Sequence, residues 1–183
     1  EDMVKNSSLS AKDHHRISVI YQSAVRLLNL INQILDFRKT ETQNKKLCVA
    51  KGNLTSAVYE TGLKYKELNN NPNIQILIEV EEENMILFFD KEVIMMILDN
   101  LISNALKYTE KGYVRIRAEW VTENNVQYAQ LSVEDTGYGI GKKALAHVFE
   151  RYYQESGEHQ ASGTGIGLAL VKNLVTLHEG DIQ

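Results

Sequence analysis

Three short stretches of this sequence carry residue types that could do chemistry. In "NLISNALKY", Asn100, Asn104 and Lys107 recur at steps of four and three. At 3.6 residues per turn they form a polar stripe about a quarter turn from the apolar one. Amide oxygens are hard neutral ligands suited to Mg²⁺, which keeps phosphates and water in its shell. A lysine ammonium meets phosphate as a point charge. An ordinary solvated helix flank would have the same composition. In "EDTGYGI", Asp135 keeps the parity of Ala129, Leu131 and Val133, so its carboxylate is expected on the apolar side of a strand. A lone carboxylate there needs a donor; a ligand with an amine edge, such as a purine, would supply one, and so would a cap on the glycine turn that follows. In "SGTGIGLAL", Gly163, Gly165 and Gly167 open a helix. Unobstructed N–H groups at a helix N-terminus favour anions, although a glycine-rich opening alone is weak evidence.

The elements that must position these residues are legible from periodicity. Residues 12 to 38 read as one long helix, with Ile17, Ile20, Ala24, Leu27, Ile31 and Ile34 in a coiled-coil seam widened by Tyr21, Leu28 and Leu35. Such a stripe needs partner helices. The polar "FRKTETQNKK" serves as a linker. Then come a strand in "KLCVAKGNL", a helix from Leu54 to Asn69, a break at Pro72, and strands in "IQILIEV" and "MILFFD". The helix carrying the asparagines is expected over Lys91 to Tyr108. Strands "YVRIRAEW" and "VQYAQLSVED" meet through "TENN", a short helix covers Lys142 to Arg151, and the last runs from Gly165 to His178 with Gly180 as C-cap. The order suits an α+β sandwich, one sheet with helices on one face.

The chain has 183 residues, is 43% hydrophobic and 24% charged, and carries a net charge of −4. Nothing here builds a basic field for nucleic acid or an anionic membrane. No apolar run approaches the roughly 20 residues of a membrane span. Cys48, the one cysteine, excludes an internal disulfide and is expected as a buried, inert thiol.

"NLISNALKYT", "EDTGYGI", "FERYYQ" and "GTGIGLAL", in this order, resemble the asparagine, first glycine, phenylalanine and second glycine boxes of sensor histidine kinases. These belong to the GHKL ATPase superfamily with the Bergerat nucleotide-binding fold. "RLLNLINQILDFRKTET" looks like the second helix of their dimerisation and histidine-phosphotransfer domain, in the style of hybrid sensors. The resemblance spans about residues 15 to 183. It implies a Bergerat-type α/β sandwich, a mixed sheet covered by helices on one face, preceded by a long coiled-coil-like helix. Residues 1–45 are then a partial phosphotransfer helix with its linker, and 46–183 an ATP-binding catalytic domain cut short at its C-terminus.

The same resemblance implies ATP and Mg²⁺ as cofactors. Asn104 is the expected Mg²⁺ ligand, with Asn100 beside it on the metal-phosphate side. Lys107 meets phosphate and Tyr108 the ring or sugar. Asp135 accepts the adenine amine, framed by Gly137, Gly139 and Ile140. Gly163, Thr164, Gly165, Gly167 and Leu168 surround the triphosphate. Phe149 anchors a polar lid, "YYQESGEHQAS", and Arg151 approaches the γ-phosphate. Hydrolysing members of the superfamily carry a glutamate where Asn100 stands. An asparagine takes no proton from water, so transfer of the γ-phosphoryl group to a histidine is implied, for relay to a response regulator receiver domain in the same or another chain. The acceptor signature, a histidine followed by an acid and a Thr-Pro or Asn-Pro pair, is absent: His14 and His15 lie in "KDHHRIS", and His147, His159 and His178 are scattered. A homodimer through the N-terminal helix and a cytoplasmic location within a larger inner-membrane sensor are further expectations. The alternatives are a protein-serine kinase of the same superfamily and a silent nucleotide-binding interaction module.

Overall fold

The computed structural model describes residues 11–41, 46–154 and 164–183. Helix α1 (Ala11–Glu41) is followed by β1 (Ala50–Asn53), α2 (Leu54–Leu68), β2 (Ile74–Val80), β3 (Ile86–Phe89), α3 (Lys91–Tyr108), β4 (Gly112–Glu123), β5 (Val126–Asp135), a single turn α4 (Lys142–Leu145) and α5 (Gly167–Leu177). The described strands form two sheets rather than one: β1 pairs antiparallel with β3, and the other three run in the order β2-β4-β5. That second sheet is mixed, since β2 lies parallel to β4 and β5 antiparallel to it. The hairpin between β4 and β5 turns on Asn124 and Asn125 at φ 49° and 64°, the left-handed pair that a two-residue turn requires.

The apolar parity of the strands faces the helices. Ile76, Ile116 and Ala118 meet Leu54, Ala57 and Val58 of α2 and Leu98 and Ile102 of α3 in one core cluster, all with 4% or less of their surface exposed. Val93 and Ile97 on the other flank of α3 pack on Ala169, Leu170, Val171 and Leu174 of α5. The outer face of the sheet is polar. There Tyr113 donates to Glu134 at 2.6 Å, and Arg115 pairs with the same carboxylate at 2.9 Å; the Tyr113 hydrogen bond is the main reason the Glu134 carboxyl sits below its ordinary range.

Two caps fix the ends of the helices. Asn53 accepts the Thr55 N–H at the start of α2, and Asp90 accepts the Val93 N–H at the start of α3. Asp90 is buried, and its second oxygen takes the N–H of Cys48 at 2.8 Å. This bond ties the segment before β1 to α3. Leu47 next to it packs into the α3–α5 cluster.

Several expectations need correction. Only Ala50–Asn53 of "KLCVAKGNL" is strand, and Cys48 is exposed: its N–H goes to Asp90 and the pairing of β1 with β3 begins only at Ala50. The helix expected over Lys142 to Arg151 stops after Leu145. The last helix begins at Gly167, and Gly180 is not its left-handed cap: Glu179 takes that conformation at φ 59°, while the Gly180 N–H closes onto the Val175 carbonyl at 2.9 Å. Helix α1 runs along α5, yet its seam is largely uncovered, with Ile20 at 68% and Leu27 and Leu28 at 57% exposed. Among the described residues no helix is long and apolar enough to cross a membrane.

Candidate functional site

Helix α3 is the spine of the site, and both glycine turns dock on it. Asn100 is buried, and its Nδ2 donates to the Met96 carbonyl one turn back, at 2.8 Å. That bond fixes which end of the amide is which, and leaves Oδ1 for a ligand. Oδ1 faces the start of α5: a Cβ built on Gly167 would stand 3.0 Å from it, and 3.8 Å from Nδ2 of Asn104. Gly167 therefore admits the two asparagines to the mouth of α5, where a larger residue would crowd them. Asn104 is half-buried, and Arg151 is exposed on the turn after α4. Lys107 donates to the Tyr108 hydroxyl at 2.9 Å and sits 4.5 Å from its ring centroid.

The first glycine turn docks two turns further along, at the C-terminal end of α3. A Cβ on Gly137 would come within 2.4 Å of the Tyr108 carbonyl, and Tyr138 N–H donates to that same carbonyl at 3.3 Å. Gly137 is thus required by close approach of backbone to backbone. Asp135 stands opposite Val114 in the β4–β5 register, so it shares the face of the core layer as its parity predicts. Its exposure differs from the expectation: Asp135 is open to solvent at the rim of that layer. Oδ1 accepts the Gly137 N–H at 2.8 Å, the cap on the glycine turn that was the other reading of the sequence. Gly139, at φ +70°, has no atom within 4 Å of a built Cβ, and Ile140 beyond it is half exposed.

The phenylalanine box and the second glycine box are joined directly. The Tyr152 N–H donates to the Gly165 carbonyl at 2.8 Å, and both residues have positive φ, +61° and +68°. A Cβ on Gly165 would meet the Tyr152 backbone at 2.7 Å. Phe149 is half-buried, with the Lys172 ammonium of α5 lying 5.7 Å from its ring. Thr164 accepts the Ile166 N–H through Oγ1 at 3.2 Å, and Leu168 is half-buried in the first turn of α5. Gly163 and His159, and most of the expected lid, lie outside the described residues. His147 is exposed and pairs with Glu150 at 2.7 Å. His178 accepts the Asp90 N–H through Nε2 at 3.2 Å, a structural contact between the end of α5 and the start of α3. His14 is half-buried and His15 exposed near the start of α1.

Sequence reasoning passed over Thr136 and Gly112, which meet at the end of β5. Their signal was the odd glycine of "KGYVRIR" opening a strand; its φ of +114° is what only a glycine takes without strain.

A sandwich whose glycine turns both close on one asparagine-bearing helix is a defined class. The family model for histidine kinase-, DNA gyrase B- and HSP90-like ATPases matches residues 89–183. The chain belongs to that family. It is 34% identical over 188 residues to the autoinducer 2 sensor kinase/phosphatase LuxQ of Vibrio harveyi, covering 99% of this chain and 22% of LuxQ. It is 36% identical over 180 residues to the circadian input-output histidine kinase CikA of Synechococcus elongatus, covering 96% of this chain and 23% of CikA. Full-length ShkA, solved in complex with AMPPNP, superimposes with a TM-score of 0.78 at 26% identity over 94% of this chain and 35% of ShkA. The chain thus spans less than a quarter of the length of these two curated relatives.

Proposed function

We propose that this chain is the ATP-binding catalytic portion of a two-component sensor histidine kinase. The observation that carries the reading is the docking of both glycine turns on α3, one at Asn100 and Asn104, the other at Tyr108. Tyr108 lies eight positions after Asn100, about 12 Å of helix at 1.5 Å per residue. An extended nucleotide lies along that span, with its base at Asp135 and its phosphates at the asparagines, Lys107, Gly165, Gly167 and the start of α5. Ile140, Thr164 and Leu168 line the same path, Phe149 holds the near end of a lid, and Arg151 reaches the γ-phosphate when the acceptor helix is engaged.

The residues present fit a Mg²⁺ ion. The fixed Oδ1 of Asn100 and the amide of Asn104 are hard neutral donors on one side of the phosphate position. When bound, the ion would neutralise charge on the β- and γ-phosphoryl oxygens. Asn104 is its protein ligand in this reading. No carboxylate stands where Asn100 does, so the site holds ATP without activating water. It waits for a histidine nucleophile placed in line. Residues 1–45 supply the helix and linker of a dimerisation and phosphotransfer domain, residues 46–183 the catalytic domain. The full-length protein is then a homodimer, cytoplasmic in this portion, relaying phosphate to a receiver domain.

The test is phosphotransfer in trans. With γ-labelled ATP and Mg²⁺, the chain alone is expected to stay unlabelled and to hydrolyse slowly, since none of its histidines has the acceptor context. A supplied phosphotransfer helix bearing the acceptor histidine should become labelled, with a label lost in acid and kept in alkali. Acid-stable label would point instead to a hydroxyl acceptor and a serine kinase.

A further inference from the structure

The strand that carries Asp135 ends in an unusual way. Val114 and Asp135 are the last residues paired between β4 and β5. One position further, the ladder would place Tyr113 opposite Thr136, each donating to the other's carbonyl. Half of that exchange survives: the Thr136 N–H donates to the Tyr113 carbonyl at 3.2 Å. The other half is made by a side chain. The Tyr113 N–H donates to Thr136 Oγ1 at 2.9 Å. The hydroxyl proton in turn has two carbonyls in reach, Lys111 at 3.2 Å and Tyr113 at 3.3 Å. The hydroxyl therefore stands in for a backbone carbonyl, and the chain is free to leave the sheet and enter the glycine turn.

Space for this strut comes from Gly112. A Cβ there would fall 2.1 Å from Thr136 Oγ1, and its φ of +114° excludes a side chain on conformational grounds too. Gly112 is itself held by its N–H on the Asn73 carbonyl at 2.9 Å. Asp135 thus sits between two fixed points. Glu134 before it is in the ladder, Thr136 after it is strutted to β4, and Gly137 is pressed against the Tyr108 carbonyl.

We infer that Thr136 is a positioning residue for base recognition: its hydroxyl, seated in the gap left by Gly112, aims the Asp135 carboxylate at the exocyclic amine of the bound purine. The inference rests on the nucleotide site proposed above, and names what sets its preference for an amino-purine over an oxo-purine.

The test compares ADP with inosine diphosphate, which carries a carbonyl in place of the amine, by calorimetry with Mg²⁺. The wild-type chain should prefer ADP. In Thr136→Val, ADP binding should weaken by about tenfold, the order of one lost hydrogen bond, while inosine diphosphate binding changes little, so that the ratio of the two collapses. Thr136→Ser keeps the hydroxyl and should restore the preference. Equal weakening of both nucleotides in Thr136→Val, or an unchanged ratio, overturns the inference while leaving the nucleotide site standing. If Thr136→Val does not fold, hydrogen exchange on the wild-type chain decides instead. The Tyr113 amide should be protected like its ladder neighbours and slowed further by ADP but not by inosine diphosphate; free exchange, or equal slowing by both, overturns it. A wild-type chain that binds neither nucleotide removes the proposed function and this inference together.

Discussion

Asn100 and Asn104 are the same residue type one turn apart, and their surroundings give them different duties. Asn100 is buried and spends its NH₂ on the Met96 carbonyl, so its oxygen is held in place. Asn104 is half-buried, with no hydrogen bond to another described side chain holding it. Side chains of that kind contribute within about 0.5 kcal/mol to stability. Asn104→Ala is therefore expected to leave the melting temperature of this chain almost unchanged, and to abolish Mg²⁺-dependent phosphotransfer in the full-length protein. A large fall in melting temperature would mean that the asparagine stripe belongs to the core. Of these roles, what the sequence made legible was the spacing of the two amides off the apolar stripe. Which amide is locked depends on the Met96 carbonyl and on the close approach of Gly167, and neither has a local signature.

Among the elements, β2, α3 and β5 run to the residues their periodicity predicts, because each is a strongly patterned segment bounded by turn or capping residues. The departures lie where long-range contacts decide. Residues 46–49 have strand composition, but Cys48 among them gives its N–H to Asp90, forty-two residues on, instead of to a ladder. The segment after Leu145 folds into turns that end at Tyr152, whose positive φ is fixed by Gly165 across the site. The α2–α3 contact offers a test at this scale. The Tyr65 hydroxyl of α2 donates to the Asp99 carbonyl of α3 at 3.1 Å. Burial, and then the Asp99 charge, pushes that hydroxyl up to about 12. A group raised in the folded state stabilises the fold below its unfolded value, near 10 for tyrosine, and loses that contribution as pH rises through its folded one. One tyrosine should therefore titrate last in an ultraviolet pH titration, and Tyr65→Phe should remove that late component. Stability of the wild type should fall between about pH 10 and 12 more steeply than that of the variant.

At the scale of the whole molecule, the sandwich buries its own core, whereas α1 does not bury its seam. Ile20, Tyr21, Leu27, Leu28 and Leu35 are each more than half exposed although α1 runs along α5. Apolar surface arranged in a helical stripe is covered by other helices. Light scattering on this chain should report a dimer that dissociates on dilution, and a strict monomer at high concentration would contradict the dimerising role proposed for residues 1–45. The central claim, however, is that the two glycine turns and α3 form one adenine-nucleotide site. Calorimetric titration of Mg²⁺-ADP into the wild-type chain and Asp135→Asn tests it most directly. The wild type should bind with one site per chain. The variant, which presents an NH₂ to the adenine amine in place of an acceptor, should bind more weakly by about 1–3 kcal/mol, the cost of an unsatisfied polar group. Equal affinity for the two proteins would remove Asp135 from the site, and absence of binding to the wild type would contradict the account as a whole.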